Sequence, residues 1–412
     1  MRLVERHYIK KSHNSYEYCK NITHLAKNLY NAALYTNRQQ FFHTGEYYND
    51  FSISKQFTKE NNPDYRALPT KVAKQIIRKV HQDFQSFFAL LKSKQSGAYN
   101  KKVKIPSYKP TDGYTTVTFP QESISRKTVY DKNSKLYQHT VCTRDDDFRF
   151  NFISKIENVD NVRIVPKDNG TYFIIEVVYT VKDTDYKADN GRYASIDPGV
   201  NNIAAVFFNF DEESLLINGK PVKSVNQYYN KRKSAIQRNL QICNGTYISS
   251  RLSYLYKKRE CKINDMLHKI TRFLVNHIVS LDVCKVIVGK NNNWKQDIKI
   301  GKRNNQTFTS IPHTKLIHML KYKLALEGIK LVTVEESYTS KCSALDKEDV
   351  CKHNTYVGTR VHRGLFETGD NTLINADING AINIMRKVFP NESVYFDGIV
   401  DVAVHPRLYT VV

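Results

Sequence analysis

The chain has 412 residues, 41% of them hydrophobic and 25% charged, with a formal net charge of +23. That length calls for two or three domains with buried cores. No apolar run approaches the ~20 residues of a spanning helix and the N-terminus lacks a signal-peptide core, so the expected place is the cytosol, with no membrane partner. The cationic excess spreads along the chain beside 27 Tyr and 20 Phe, which favours nucleic acid as partner over a basic membrane-surface role; no small-molecule substrate is expected. Seven scattered Cys with no Cys-x-x-Cys pair argue against a disulfide framework.

Residues 2–9 alternate as a strand, and from Tyr16 to about Leu91 the pattern turns helical. Val72, Ile76, Val80, Phe84, Phe87 and Leu91 recur at three and four residues behind Pro69, which a first helical turn tolerates. The opposite face carries Lys71, Lys74, Arg78 and Lys79, which suits a phosphate backbone and a solvated surface alike. A basic linker over 92–109 leads into four stretches rich in β-branched and aromatic residues: 114–119, 148–152, 162–165 and 172–181. Together these predict a small barrel with a helical insertion after its first strand.

Small and apolar residues from Tyr193 lead into one carboxylate, Asp197; Pro198 and Gly199 turn the chain, and a second apolar run reaches Phe208. This predicts a buried strand, a tight turn and the strand that pairs with it. Burying a carboxylate there is costly unless a cation or donor compensates it, so Asp197 is a capped structural acid or a metal ligand. A helical hairpin is predicted next, with arms over 226–243 and 251–281 and Asn244-Gly245 at the turn. Lys231, Arg232, Lys233, Arg238, Arg251, Lys257, Lys258, Arg259 and Lys262 decorate it, as a phosphate-binding surface or a solvated amphipathic pair. Residues 283–289 read as a central buried strand, followed by a polar loop over 290–295 and a basic run with Lys302 and Arg303. A helix over 313–327 precedes a strand from Lys330 that ends in Glu335 and Glu336, and the last helix carries Asp377 near its start.

Three element ends far apart in sequence thus present carboxylates: Asp197, Glu335/Glu336 and Asp377. Two-metal cleavage of a phosphodiester needs rigid acids of this kind converging on ions ~3.5–4 Å apart. Hard oxygen ligands favour magnesium or manganese over zinc.

Asp197-Pro-Gly-Val-Asn-Asn, the basic hairpin, Tyr338-Thr-Ser-Lys341 and Asn375-Ala-Asp-Ile-Asn-Gly-Ala381 resemble the RuvC-type nuclease of transposon-encoded TnpB proteins. Type V CRISPR effectors and Fanzor proteins share that nuclease. The resemblance covers about 193–390 closely and the N-terminal part more loosely. It implies an α+β multidomain chain with an RNase H-like (RuvC) α/β nuclease domain over 189–340 and 372–412, the hairpin being its insertion at 226–282. It further implies a wedge-like β-barrel over 1–19 and 100–188, with a helical recognition domain inserted at 20–99. Residues 341–371 would be a degenerate zinc-ribbon-like insertion that binds target nucleic acid. On this resemblance Asp197 is the first catalytic, metal-binding carboxylate and Asp377 the last. The implied activity is magnesium-dependent (or manganese-dependent), RNA-guided cleavage of double-stranded DNA beside a short flanking motif. Its partners would be a guide RNA and the target duplex, in a nucleoid-associated cytoplasmic setting. Lys71, Lys74 and Arg78 are candidates to hold guide and flanking duplex.

Two departures bear on the site. The family's usual middle Glu ends the strand that here reads Val286-Ile-Val-Gly289. In rearranged relatives the acid lies on the next strand, before Tyr-Thr-Ser-Lys; Glu336 fits that pattern, with Glu335 as the alternate. Side chains alternate along a strand, so only one of the pair faces the metals. Gly289 leaves open a guided DNA-binding repressor that does not cut; a compact type V effector would share every motif, and a structural RNA-binding protein would have no use for Asp197. The second departure is in the ribbon, where Cys342, Cys351, His353 and His362 stand without Cys-x-x-Cys spacing, so no zinc is assigned. Arg360 and Arg363 there join the nucleic-acid-binding candidates.

Overall fold

The computed structural model describes every residue except 126–127, 142–148, 291–300, 302–304, 307–309, 363, 390–404 and 412, and the side chain of Asn244. Lys302, Arg303, Arg363 and all but the first residue of the polar loop at 290–295 lie outside the described residues. The chain divides into two units, Met1–Lys182 and Asp183–Val412.

In the first unit, β1 (Arg2–Ile9) is followed by four helices, α1 (Tyr16–Thr44), α2 (Asp50–Lys59), α3 (Pro63–Arg66) and α4 (Thr70–Gln95). The predicted stripe on α4 is buried through Phe87, against α1, α2 and the sheet, while Lys71, Lys74, Arg78 and Lys79 stay exposed. The sheet joins β1 to β7 (Tyr172–Thr180), then β6 (Asn161–Lys167) and β2 (Val117–Pro120), antiparallel throughout. β2 begins three residues later than expected: Thr115 N–H donates to Thr23 O on α1, and Tyr114 packs edge-on against Phe173. A second sheet, β3 (Val129–Asp131), β4 (Leu136–Val141) and β5 (Phe150–Ser154), contains two strands the sequence did not announce, since β3 is polar-flanked and wholly exposed. No ladder among the described residues closes the two sheets into one ring; a side chain links them, Ser154 Oγ donating to Glu5 Oε2 at 2.6 Å.

The second unit is built on a six-stranded sheet. In chain order its strands are β8 (Tyr193–Asp197), β9 (Asn202–Phe208), β10 (Leu215–Asn218), β11 (Lys285–Gly289), β12 (Lys330–Val334) and β16 (Arg407–Tyr409), ordered β12-β11-β8-β9-β10-β16 in space. β8, β9 and β10 form an antiparallel meander, whereas β11 pairs parallel with both β8 and β12. Between β10 and β11 runs the hairpin of α5 (Lys220–Asn244) and α6 (Ser250–Ser280), turned at Gly245 with φ 61°. α7 (His313–Leu326) packs on α6, and α8 (Ala376–Arg386) packs on β8, β9 and β11. Period-2 alternation sorts the strand residues. Ala194, Ile196, Val206, Val286 and Val288 face the core that includes α6 and α7; Tyr193, Ala205, Phe207 and Ile287 face α8. A small antiparallel sheet, β13 (Thr359–His362), β14 (Leu365–Glu367) and β15 (Leu373–Asn375), precedes α8.

Candidate active site

The alternation that buries Tyr193 and Ser195 against α8 carries one step further to Asp197, and Ser195 Oγ donates to Ala381 O at 2.7 Å. Beyond the last paired residues of β8 and β11, Ile196 and Val288, come Asp197 and Gly289 on that same face. Val334 pairs with Gly289 at the end of β12 and also packs toward α8, so Glu336, two residues on, shares its side and Glu335 does not. A Cβ on Gly289 would lie 2.6 Å from Glu336 Oε2. Glu335 is exposed and accepts a hydrogen bond from Ser337 Oγ at 3.0 Å. Lys387 fixes the segment between them and α8, its Nζ donating to Glu335 O at 2.9 Å and Ser337 O at 2.7 Å.

Asp377 stands in the first turn of α8, whose N-cap Asn375 accepts from the Asp377 N–H at 2.9 Å and the Ile378 N–H. Asn202 Nδ2 donates to Asp377 Oδ2 at 2.8 Å, and an Arg360 Nη2 lies 3.7 Å from Asp377 Oδ1. One turn along α8, a Cβ on Gly380 would meet Asp197 Oδ2 at 2.5 Å, so only glycine lets the helix approach that carboxylate. Burial drives the Asp197 carboxyl well above the usual range, Glu336 and Asp377 add to the rise, and Arg360 opposes it. Burial likewise raises Glu336 to about 7, with Lys387 opposing. Beside Asp377 an open cavity of about 520 Å³ is lined by Val200, Asn201, Asn202, Arg360, His362 and Gly364.

The donor set suits a hard divalent cation in kind. Glu336 and Asp377 both make the buried Asp197 harder to ionise, and Gly289 and Gly380 leave the room that Glu336 and Asp197 occupy. Among the described residues, no group of three or more His, Cys, Asp and Glu is arranged to hold an ion as the side chains stand. In the insertion, Cys342 is buried, with its Sγ 3.6 Å from Cys351 O; Cys351 Sγ lies 3.4 Å from His353 Nε2, and His362 lines the cavity beside Asp377.

Several residues that build the site had no predicted role beforehand, Asn379 being a motif letter and Asn383 and His313 lying outside the motifs. Asn379 and Asn383 are fully buried on the inner face of α8. Asn379 Nδ2 and Asn383 Nδ2 donate to Cys342 O at 2.9 and 2.7 Å, and Ala344 N–H donates to Asn379 Oδ1 at 2.9 Å. Two asparagines four apart on an otherwise apolar helix face were the available sign. His313 Nε2 lies 2.8 Å from Gly199 O in the turn after Asp197.

The basic candidates fall into distinct settings. Lys231, Arg232, Arg238, Arg251 and Lys258 are exposed on the hairpin, and Lys257 is half-buried. Arg259 instead pins the hairpin base, its Nε donating to Asn226 Oδ1 at 2.7 Å and its Nη2 to Ser310 O at 3.1 Å. On the first unit, Lys71 Nζ donates to Glu122 O at 2.9 Å and Arg78 pairs with Asp50 at 3.2 Å. With Lys74 they line a cavity of about 440 Å³ beside Phe51, which is 76% exposed.

The second unit thus carries a strand-end acid cluster on a mixed sheet together with a basic helical hairpin. Residues 176–295 match the OrfB_IS605 family, described as "Probable transposase", and residues 313–384 match the Cas12f1-like TNB domain. The TnpB-like protein ORF457 of Acidianus two-tailed virus is 24% identical over 405 residues, covering 89% of this chain and 82% of that protein. The CRISPR-associated endodeoxyribonuclease Cas12f2 of a Micrarchaeota archaeon is 26% identical over 246 residues, 55% of this chain and 42% of Cas12f2. A solved Cas12f1–sgRNA–target DNA complex contains a chain of similar fold, with a TM-score of 0.58 at 14% identity, covering 89% of this chain and 82% of that one. The chain is thus similar to TnpB-like and Cas12f proteins, in line with the resemblance its motifs carry. Among the described residues no helix is long and apolar enough to cross a membrane.

Proposed function

We propose that the chain is an RNA-guided DNA endonuclease of the TnpB type, whose second unit carries an RNase H-like nuclease domain. The observation that carries this reading is that buried Asp197 feels the charges of both Glu336 and Asp377, with Gly289 making room for Glu336, Gly380 for Asp197, and Glu335 turned to solvent. Magnesium or manganese would be held by Asp197, Glu336 and Asp377; bound there, it supplies positive charge that stabilises the phosphodiester transition state. The chain's own residues do the rest. Asn202 and the Asn375 cap orient Asp377, and Gly380 lets Asp197 stand against α8. Arg360, which lines the adjoining cavity beside Asp377, is a cation suited to orienting a phosphate near the acids. By analogy with the Cas12f1 complex, guide RNA and target DNA are the partners, with base pairing supplying most sequence choice. The cavity of Lys71, Lys74 and Arg78 on the first unit is the candidate contact for the flanking duplex.

The test uses protein expressed with its native flanking DNA. Bound RNA is extracted and sequenced, and magnesium-dependent cleavage of a matched duplex is compared for wild type, Asp197→Ala, Glu335→Ala and Glu336→Ala. Cleavage lost in Asp197→Ala and Glu336→Ala but kept in Glu335→Ala supports the reading. RNA-dependent binding without cleavage by the wild type would make the chain a guided repressor instead.

A further inference from the structure

Between Asn226 and Ile263 the hairpin buries none of its described residues. The distal part of α5 runs about 27 Å beyond Asn226 at 1.5 Å per residue. An arm of this kind gains little from its own packing, yet it displays large apolar side chains: Ile248 is 79% exposed, Ile242 73% and Tyr254 65%. Over residues 220–262 Glu260 is the sole acid against eleven Lys and Arg.

The cations and the rings share faces. On α6, Arg251, Tyr254, Lys258 and Lys262 follow one another at three- and four-residue spacing, all exposed. On α5, Tyr228, Arg232, Ala235, Arg238 and Ile242 do the same. At the base, a cavity of about 340 Å³ is lined by Lys223, Gln227, Asn230, Lys231, Ser234 and Gln306.

We propose that the distal hairpin is a docking arm for an unpaired stretch of RNA. The proposal rests on the reading of the chain as RNA-guided and says where and how the RNA is gripped. Phosphates meet the Lys and Arg rows. Bases stack on Tyr228 and Tyr254, which a base can cover only when it is out of a duplex. Amide and hydroxyl groups at the base of the arm both donate and accept, which is what a ribose 2′-hydroxyl asks for and deoxyribose does not. A second copy of the chain is disfavoured as occupant, because it would bring an equally cationic arm to the same place.

The test is binding of a labelled oligoadenylate about 15 nucleotides long. It is done in EDTA with the intact chain, so neither cleavage nor a native guide is required. The arm is thereby judged apart from the nuclease reading. Wild type should bind this strand more tightly than an RNA duplex or the deoxy strand. Tyr228→Ala with Tyr254→Ala should weaken it at least ~10-fold with the salt slope unchanged, while the Phe versions stay within about two-fold. Arg232→Gln with Lys258→Gln should make the slope shallower by about 1–1.5. Equal affinity for duplex or deoxy strand, or unchanged binding in the Ala pair, would overturn the proposal. So would self-association abolished by Ile248→Ser with RNA affinity intact, which would make a second copy the occupant.

Discussion

Gly289 holds open the space that the Glu336 side chain occupies. A Cβ there would sit 2.6 Å from Glu336 Oε2, 2.6 Å from Ile384 Cδ1 and 3.3 Å from Glu336 Cβ. The glycine at the end of β11 and the acid after β12 are therefore complementary, and the missing side chain of one is the room for the other.

Gly289→Ala should accordingly displace Glu336 while leaving the sheet intact. Cleavage should fall about 10²-fold, the cost of misplacing a reacting group by about 1 Å. Thermal stability should drop by about 1–3 kcal/mol from overpacking against Ile384. Cleavage kinetics and a melting curve on the same preparation check both. Unchanged cleavage would show that Glu336 does not work from this position.

Asp197 is destabilised by burial and by its two acidic neighbours whenever no cation is bound. Asp197→Asn removes the charge and keeps the shape, so in EDTA it should raise the melting temperature of the second unit by about 2–6 °C. The same variant should be inactive. Calorimetry with and without magnesium reads this directly, because added metal should stabilise wild type and leave the variant nearly unmoved.

The sign of the pH dependence follows from Glu336. Its folded carboxyl titrates at about 7, above the ordinary 4.5, so between those values the folded chain holds a proton that the unfolded chain has lost. In metal-free buffer stability is greatest below that window and falls as pH rises through it. Glu336→Gln should make this slope shallower, leaving the share carried by the likewise raised Asp197. Urea melts at intervals from pH 5 to about 8 measure it; a wild-type slope surviving in the variant would assign it to another group.

Lys323 offers an opposite sign, away from the acids. It is buried on α7 and donates to His268 O at 2.9 Å and Thr271 Oγ1 at 2.6 Å on α6. Burial, with Arg272 adding, lowers it from 10.5 to about 8. Between those values the unfolded chain binds the extra proton, so stability rises with pH across that window. Thr271 Oγ1 also donates to Leu267 O, so Lys323→Met leaves that hydroxyl with a partner. The variant should be more stable at pH 7 by about 1–2 kcal/mol and should lose the alkaline rise.

The sequence announced what depends on neighbours in the chain. The apolar runs flanking Asp197, the α4 stripe, the Asn244-Gly245 turn and the alternation separating Glu335 from Glu336 are all local, and each has its counterpart in the structure. What stayed hidden depends on partners far away. Asn202 meets Asp377 across 175 positions, and β16 is three residues long and exists only beside β10. Arg259 looked like one more hairpin cation, and its partner carbonyl on Ser310 lies 51 positions on. Gly380 was legible as a motif letter, but its closeness to Asp197 was not.

α8 touches every part of this arrangement. It bears Asp377, backs Asp197 with Gly380, brings Ile384 to the space beside Gly289 that Glu336 also borders, and with its C-cap Lys387 ties down 335–344 through Asn383 and Asn379. These attachments follow one another along eleven consecutive positions of a single stretch of backbone, so none can loosen far without the rest. The acids should therefore come together and fall apart as one event. Amide exchange along α8 should show a common opening energy, with no partially assembled species between the formed cluster and its loss.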